Sequence, residues 1–247
     1  PIDDARNKWS AASGQTMLDQ VSGKAQAQFD RQVLEEMNAR ASNGILSTDP
    51  SITQAADALD AYYKRDLEIK RGRDGETEVD GSSDFEHYSG HYTRAWDGRA
   101  MRKLINDGLP KSKIVDLLAA SYRQMHPTLK KKGYDRVVAR AIVARALSGA
   151  DGVNTNMLST LTADGRDFLQ ETLKNSGYTG KDFDDLMDAL TGAAEERGKV
   201  STNKARIRMD MSMSMGNVSV MDLINTDLTQ MTQRNQRRTA GAAALAR

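Results

Sequence analysis

The residues best placed for chemistry are four thioethers at alternate positions: Met209, Met211, Met213 and Met215 in the stretch RMDMSMSMG. On one face of a β-strand they could hold Cu(I), a soft ion that accepts sulfur ligands at low coordination number. No Cys occurs in the chain and no His lies nearby, and the other face would carry Asp210, Ser212 and Ser214. A flexible, polarizable Met is also a good filler of irregular apolar surfaces. The four methionines therefore read as a packing or interface face, with no metal expected.

The stretch EHYSGH sets His87 and His91 at i and i+4, the spacing of a zinc pair on a helix. Ser89-Gly90 between them weakens any helix, and no third ligand is identifiable. Adjacent acids such as Asp184-Asp185 and Glu195-Glu196 point apart on a helix, which suits a solvated face better than general acid–base work. No nucleophile-elbow pattern and no phosphate loop occurs. The chain is accordingly expected not to be an enzyme and to need no cofactor.

Two basic clusters are more suggestive. LKKKGYDR contains Lys130, Lys131, Lys132 and Arg136, and RNQRR contains Arg234, Arg237 and Arg238 beside amide side chains. Such groups suit contact with phosphates, without base specificity, or with an acidic partner. The net charge of +1 conceals blocks. Residues 1–98 carry 11 Lys/Arg against 18 Asp/Glu, residues 99–150 carry 12 against 3, residues 151–198 carry 4 against 10, and residues 199–247 carry 8 against 3. Alternating blocks favour pairing within the chain or between copies, so a homo-oligomer is expected.

The elements that must position these residues are mostly helices. With 38% hydrophobic and 5% aromatic residues and a mean hydropathy of −0.63, the chain is lean for a compact enzyme of 247 residues. It suits an elongated helical protein, or one that buries surface against partners. No apolar run approaches the ~18 residues that suggest a membrane span. Residues 4–40 read as a helix or two, with Met17, Leu18, Val21, Ala25, Phe29, Val33, Leu34 and Met37 on one stripe, ended by Ser42-Asn43-Gly44. Pro50 suits the first turn of a second helix. Residues 71–84 offer almost nothing to bury and read as a loop. Helical spacing resumes from Asp97, and Val137, Val138, Ala141, Ile142 and Leu147 mark a buried face further on. A glycine cap ends the run before Gly177, and Thr179–Asp182 suggests a capping arrangement.

The exception is Lys204–Met215, where apolar and polar residues alternate with a period of two, as in a strand with one apolar face. Gly216-Asn217 supplies a turn, after which the spacing looks helical again. One strand cannot form a sheet alone, so its partner is expected from the 71–95 region, a neighbouring subunit or chain outside this sequence. The expected fold is thus mainly α, multi-helix and elongated, with one short strand or hairpin near 204–215. Its expected regions are a helical 1–70, a linker 71–95, a helical bundle 96–198, and a strand plus helix over 199–247. Because the sequence starts at Pro1 and stops inside the helix-like AGAAALAR, it is expected to be a piece of a longer chain.

One segment resembles a known family. Residues 199–247 combine a basic turn, the strand pattern Arg208-Met209-Asp210-Met211, a Leu223–Asp227 motif, and a polar helix running from Arg238 through Gly241 to Ala246. This is similar to a segment of the very large internal virion (ejection) proteins of short-tailed bacteriophages and of related giant phage polyproteins. It covers about a fifth of the chain. The chain departs from the family pattern at Gln233-Arg234-Asn235, where a Tyr-containing turn is usual, and at Gly241-Ala242, where Gly-Arg is usual. The resemblance implies storage inside the virion, delivery to the host envelope, assembly with other virion proteins and a part in conducting DNA. Some relatives carry a lytic transglycosylase domain, for which no equivalent segment is visible. The alternative reading is a nucleic-acid-binding helical module without sequence specificity.

Overall fold

The computed structural model describes residues 2–70, 90, 92, 94–125, 133–148, 155–156, 170–175, 177–182, 184–185 and 209–245. These are predominantly helical, with short antiparallel strand pairs. The chain forms two compact units, residues 1–93 with 226–247 and residues 94–225.

The first unit is built from α1 (Ile2–Ala12), α2 (Met17–Val21), α3 (Lys24–Ser42), α4 (Pro50–Lys70) and α8 (Leu228–Leu245). The run expected as one or two helices is broken twice before α3. Thr16 and Asp19 form a capping box that starts α2, and Gly23, at φ 74°, takes the left-handed conformation that ends it. On α3, Ala25, Phe29, Val33, Leu34 and Met37 are buried, matching the expected stripe. Asn43 ends α3 in a left-handed conformation and Gly44 donates to the Ala39 carbonyl at 2.7 Å. Asp49 accepts the Ser51 amide at 2.8 Å, so α4 starts at Pro50 as its sequence suggests. Its buried face is Ile52, Ala55, Ala56, Leu59 and Tyr63, again at spacings of three and four. Helices α1, α3 and α8 all pack on α4. From the expected 71–95 linker, Gly90 donates to Asp60 at 3.0 Å and the Tyr92 hydroxyl to Asn38 at 3.0 Å, both residues being buried.

The second unit contains β1 (Ala95–Trp96), α5 (Gly98–Asn106), α6 (Lys111–Met125), α7 (Tyr134–Ser148), β2 (Thr155–Asn156), β3 (Ser214–Met215) and β4 (Val218–Ser219). Helix α7 packs on α5 and α6 and buries Val137, Val138, Ala141 and Ile142, while Leu147 is only half-buried. Asp97 caps α5 by accepting the Arg99 and Ala100 amides, both at 2.9 Å. Gly98 follows because its Cα lies against α7, where a Cβ would overlap the Ala146 carbonyl. Gly177 ends the helical residues 170–175 as expected, and Asp182 accepts the Thr179 amide and hydroxyl. Strand β1 pairs antiparallel with β2, Ala95 opposite Asn156 and Trp96 opposite Thr155.

The 204–215 strand is shorter than its alternation suggests. Residues 204–208 lie outside the described residues, 210–213 form a turn, and pairing begins only at Ser214. The turn has a local cause: Asp210 accepts the Ser212 amide at 2.9 Å and its hydroxyl at 2.6 Å, bending the backbone as Asp does in Asx turns. Among the described residues, the partner of Ser214–Met215 is local. β4, directly after the Gly216-Asn217 turn, pairs Ser214 with Ser219 and Met215 with Val218. The helical spacing expected after Asn217 also resolves differently. Ser219 and Asp222 form a capping box on the 3₁₀ turn Val220–Leu223, and Ile224 is extended and bridges to Trp96.

Candidate functional site

The segment that carries the most placed sequence features is 209–245. Met209 and Met211 are buried, Met213 is half-buried, and Met215 on the hairpin is 37% exposed. The alternation thus grades from core to surface along the segment and does not form one continuous face. The Asp210 carbonyl accepts the Ser121 hydroxyl at 2.8 Å, fixing the turn to α6. Beyond it, Val220, Met221, Leu223 and Ile224 are buried. The Leu223 carbonyl accepts the Asp97 amide at 2.9 Å, and the Asn225 amide donates to Ala95 at 2.8 Å, so β1 is held on both edges.

Helix α8 then serves the first unit. Asp227 accepts the Gln230 amide at 2.8 Å and caps its start. Leu228, Met231 and Asn235 are buried at spacings of three and four. Asn235 donates to the Tyr62 hydroxyl at 3.3 Å, which donates to the Thr232 carbonyl at 3.1 Å. The Leu228 amide donates to the carboxylate of Asp30, which is 1% exposed and also accepts Arg6 at 3.1 Å. Burial holds the Asp30 carboxyl above its ordinary range, with a smaller contribution from the Asp227 charge, while Arg6 and the Leu228 amide oppose it.

A second buried carboxylate, Glu36, accepts Arg40 at 2.9 Å and the Ser47 amide at 2.7 Å. Arg40 also pairs with Asp57 at 2.7 Å. Burial would lower the Arg40 pKa, but Glu36 and Asp57 reverse that and it is raised. Sequence reasoning missed both nodes. The signal was present: Asp30 and Glu36 each fall three residues from Val33, on the apolar stripe of α3, where an acid needs a partner.

Arg136 is exposed and forms an ion pair with Asp116 on α6. Lys130, Lys131 and Lys132 lie outside the described residues, as do His87, His91 and His126. Arg234 is half-buried and Arg237 exposed on α8, and the side chain of Arg238 lies outside the described residues. Arg123 pairs with the buried Asp135 between α6 and α7. In the second unit, α6, α7 and residues 170–175 line an open surface groove of about 530 Å³, whose walls mix Val115 and Ala144 with charged Lys111, Arg140 and Glu171. Among the described residues no His, Asp or Glu group of three or more could hold a metal, and no helix is long and apolar enough to cross a membrane. No family model, curated protein or solved structure matches the chain.

Proposed function

We propose that the chain is a structural, self-assembling segment of an internal virion (ejection) protein of a short-tailed bacteriophage, helping to conduct DNA across the host envelope. The observation that carries this reading is the role of the residues behind the resemblance. Asp210 shapes a turn, Leu223 and Ile224 close on β1, and Asp227 caps α8. Those positions build a scaffold, which agrees with an architectural role for the segment. The unlike charge of the two units, 14 Lys/Arg against 18 Asp/Glu in the first and 21 against 16 in the second, favours association of copies.

The exposed Arg237, with Arg234 and Arg238 on the same helix, supplies a face for DNA or an acidic partner. The alternative is a nucleic-acid-binding module that acts as a monomer, favoured by exposed Arg99, Lys103, Lys111, Lys113 and Arg140 on α5–α7. Sedimentation velocity with and without DNA, over a salt series, separates the two. The assembly reading expects copies to associate, with DNA affinity rising on association. It also expects Arg234→Gln/Arg237→Gln/Arg238→Gln to flatten the salt slope. A monomer that binds DNA at full strength supports the module. Unchanged assembly together with unchanged, salt-insensitive DNA association in the triple variant removes the role of that face.

A further inference from the structure

Helices α6 and α7 pack together, and two cations across their contact have acids to meet: Arg123 pairs with Asp135 and Arg136 with Asp116. Two further cations have no such match. Lys111, in the first turn of α6, and Arg140, on α7, are exposed and line one open groove. Among the described residues neither has an ion-pair partner, and Glu171, the acid in the lining, pairs with neither. Two like charges held across one groove repel, and an anion between them relieves that cost. The first turn of α6 holds no acid either, although a carboxylate there would complement the positive end of the helix.

The polar groups beside them are donors suited to the same ligand. Ser112 brings a hydroxyl next to Lys111, while Thr172 and Asn175 bring a hydroxyl and a side-chain amide from residues 170–175. Ammonium, guanidinium, hydroxyl and amide groups are the donors that phosphate oxygens accept from in nucleic-acid complexes. Among the described residues no aromatic ring lines the groove on which a base could stack, so the backbone is the part it suits. A volume of about 530 Å³ is that of a pocket for a drug-sized molecule, so a phosphate enters with its flanking sugars. We infer that this groove seats a phosphodiester of a nucleic-acid backbone, with Lys111 and Arg140 on the phosphate oxygens and no base specificity. It rests on the DNA contact of the readings above and gives that contact a place on the second unit, besides α8. Glu171 is the one lining charge that opposes the phosphate.

The test titrates the whole chain into a fluorescently labelled DNA duplex of mixed sequence over a salt series, read by anisotropy. Inorganic phosphate is titrated separately by calorimetry. Lys111→Gln, Arg140→Gln and Glu171→Gln all change exposed residues, and Trp96 fluorescence in urea checks that the second unit stays folded. Lys113→Gln is the control, because Lys113 shares the charge, exposure and helix turn of Lys111 but does not line the groove. Lys111→Gln and Arg140→Gln should each weaken DNA binding roughly ten-fold and lower the salt slope by about one. Lys113→Gln should cost less than about two-fold, and Glu171→Gln should tighten binding. Equal losses from Lys111, Lys113 and Arg140 mark a diffuse basic surface and overturn the groove. DNA binding that Lys111→Gln and Arg140→Gln leave unchanged overturns it as well, with the α8 contact still standing. Phosphate binding that Arg140→Gln abolishes, in a chain that does not bind DNA, assigns the groove to free phosphate instead. A chain that binds DNA at no salt concentration overturns this inference and the DNA role together.

Discussion

Asp30 ties three elements of the first unit, and its replacement tests whether that tie works as the geometry requires. Its carboxylate accepts Arg6 of α1 at 3.1 Å and the first-turn amide of Leu228 on α8 at 3.2 Å. Breaking a buried pair costs about 3–5 kcal/mol when the remaining charge is stranded. Arg6 is 18% exposed and keeps Asp3 at 3.0 Å, so its loss is partly absorbed. The Leu228 amide would be left without its acceptor, at about 1–3 kcal/mol. Taken together, Asp30→Ala is expected to destabilise the first unit by about 3 kcal/mol. Each unit holds one tryptophan, Trp9 and Trp96, so each can report separately. Trp9 is buried with its ring 5.6 Å from Phe29, the residue before Asp30. In a W96F background, its fluorescence should show a urea midpoint lowered by about 1–2 M. A shift within error would refute the tie.

The pH dependence gives a sharper check. Burial raises the Asp30 pKa above its ordinary value of 3.8, so between that value and the raised one the folded protein holds a proton that the unfolded chain has released. The contribution of Asp30 is therefore fully present below pH 3.8 and is lost as pH rises through the raised value. The groups that face it are Arg6, Asp227 and the Leu228 amide. Asp30→Asn keeps an oxygen for that amide but cannot titrate. The stability of wild type relative to Asp30→Asn should rise as pH falls from neutral towards 4. A relative stability that falls would mean that the Arg6 charge outweighs burial, and would refute the reasoning.

Other outcomes follow from the packing. Met209→Ala and Met211→Ala should each cost about 2–4 kcal/mol, whereas Met215→Gln at the exposed end of the hairpin should change stability by under about 0.5 kcal/mol; Trp96 fluorescence in urea reads all three. Asp97→Ala removes the acceptor of two first-turn amides and should lower the second unit by about 1–2 kcal/mol. Gly98→Ala forces α5 away from the Ala146 carbonyl and should cost about 1–3 kcal/mol, while Gly180→Ala, with open space around it, should be neutral by the same melts. Deleting residues 226–247 strips Leu228, Met231 and Asn235 from the first unit alone, so the Trp9 transition should fall by several kcal/mol and the Trp96 transition should stay.

Most helices were legible because their signals are local. The stripes of α3 and α4, the Asp49-Pro50 start and the Asn43-Gly44 stop all act within a few residues of where they are read. The 204–215 strand was legible in kind but not in extent. Alternation takes no account of side chains that compete for the backbone, and Asp210 captures the Ser212 amide before any ladder can form. Its partner, Val218-Ser219, merges in the sequence with the helical spacing that follows. The two are too short to show a period of their own. The site features that depend on long-range contacts, Asp30 with Leu228 and Tyr62 with Asn235, span 198 and 173 residues and leave no periodic trace. Their signal was chemical: acids on an apolar stripe.

The path of the C-terminal segment explains why its acids recur in a pattern. Asp210, Asp222 and Asp227 each accept a backbone amide two or three residues away: Ser212, Ser219 and Gln230. Each marks a change of direction, into the turn, into the 3₁₀ turn and into α8. Between them lie the apolar groups that enter a core: Met209 and Met211, then Val220 to Ile224, then Leu228 and Met231. Short side-chain acceptors at the bends and apolar residues between them are what a chain needs to stay ordered without a long helix or a broad sheet. Residues 209–225 finish the second unit and residues 226–245 belong to the first, so one stretch with one grammar serves both. A substitution at Asp210 or Asp222 should then loosen the second unit and leave the proposed DNA contact of α8 unchanged, which separates an architectural role for this segment from a binding one.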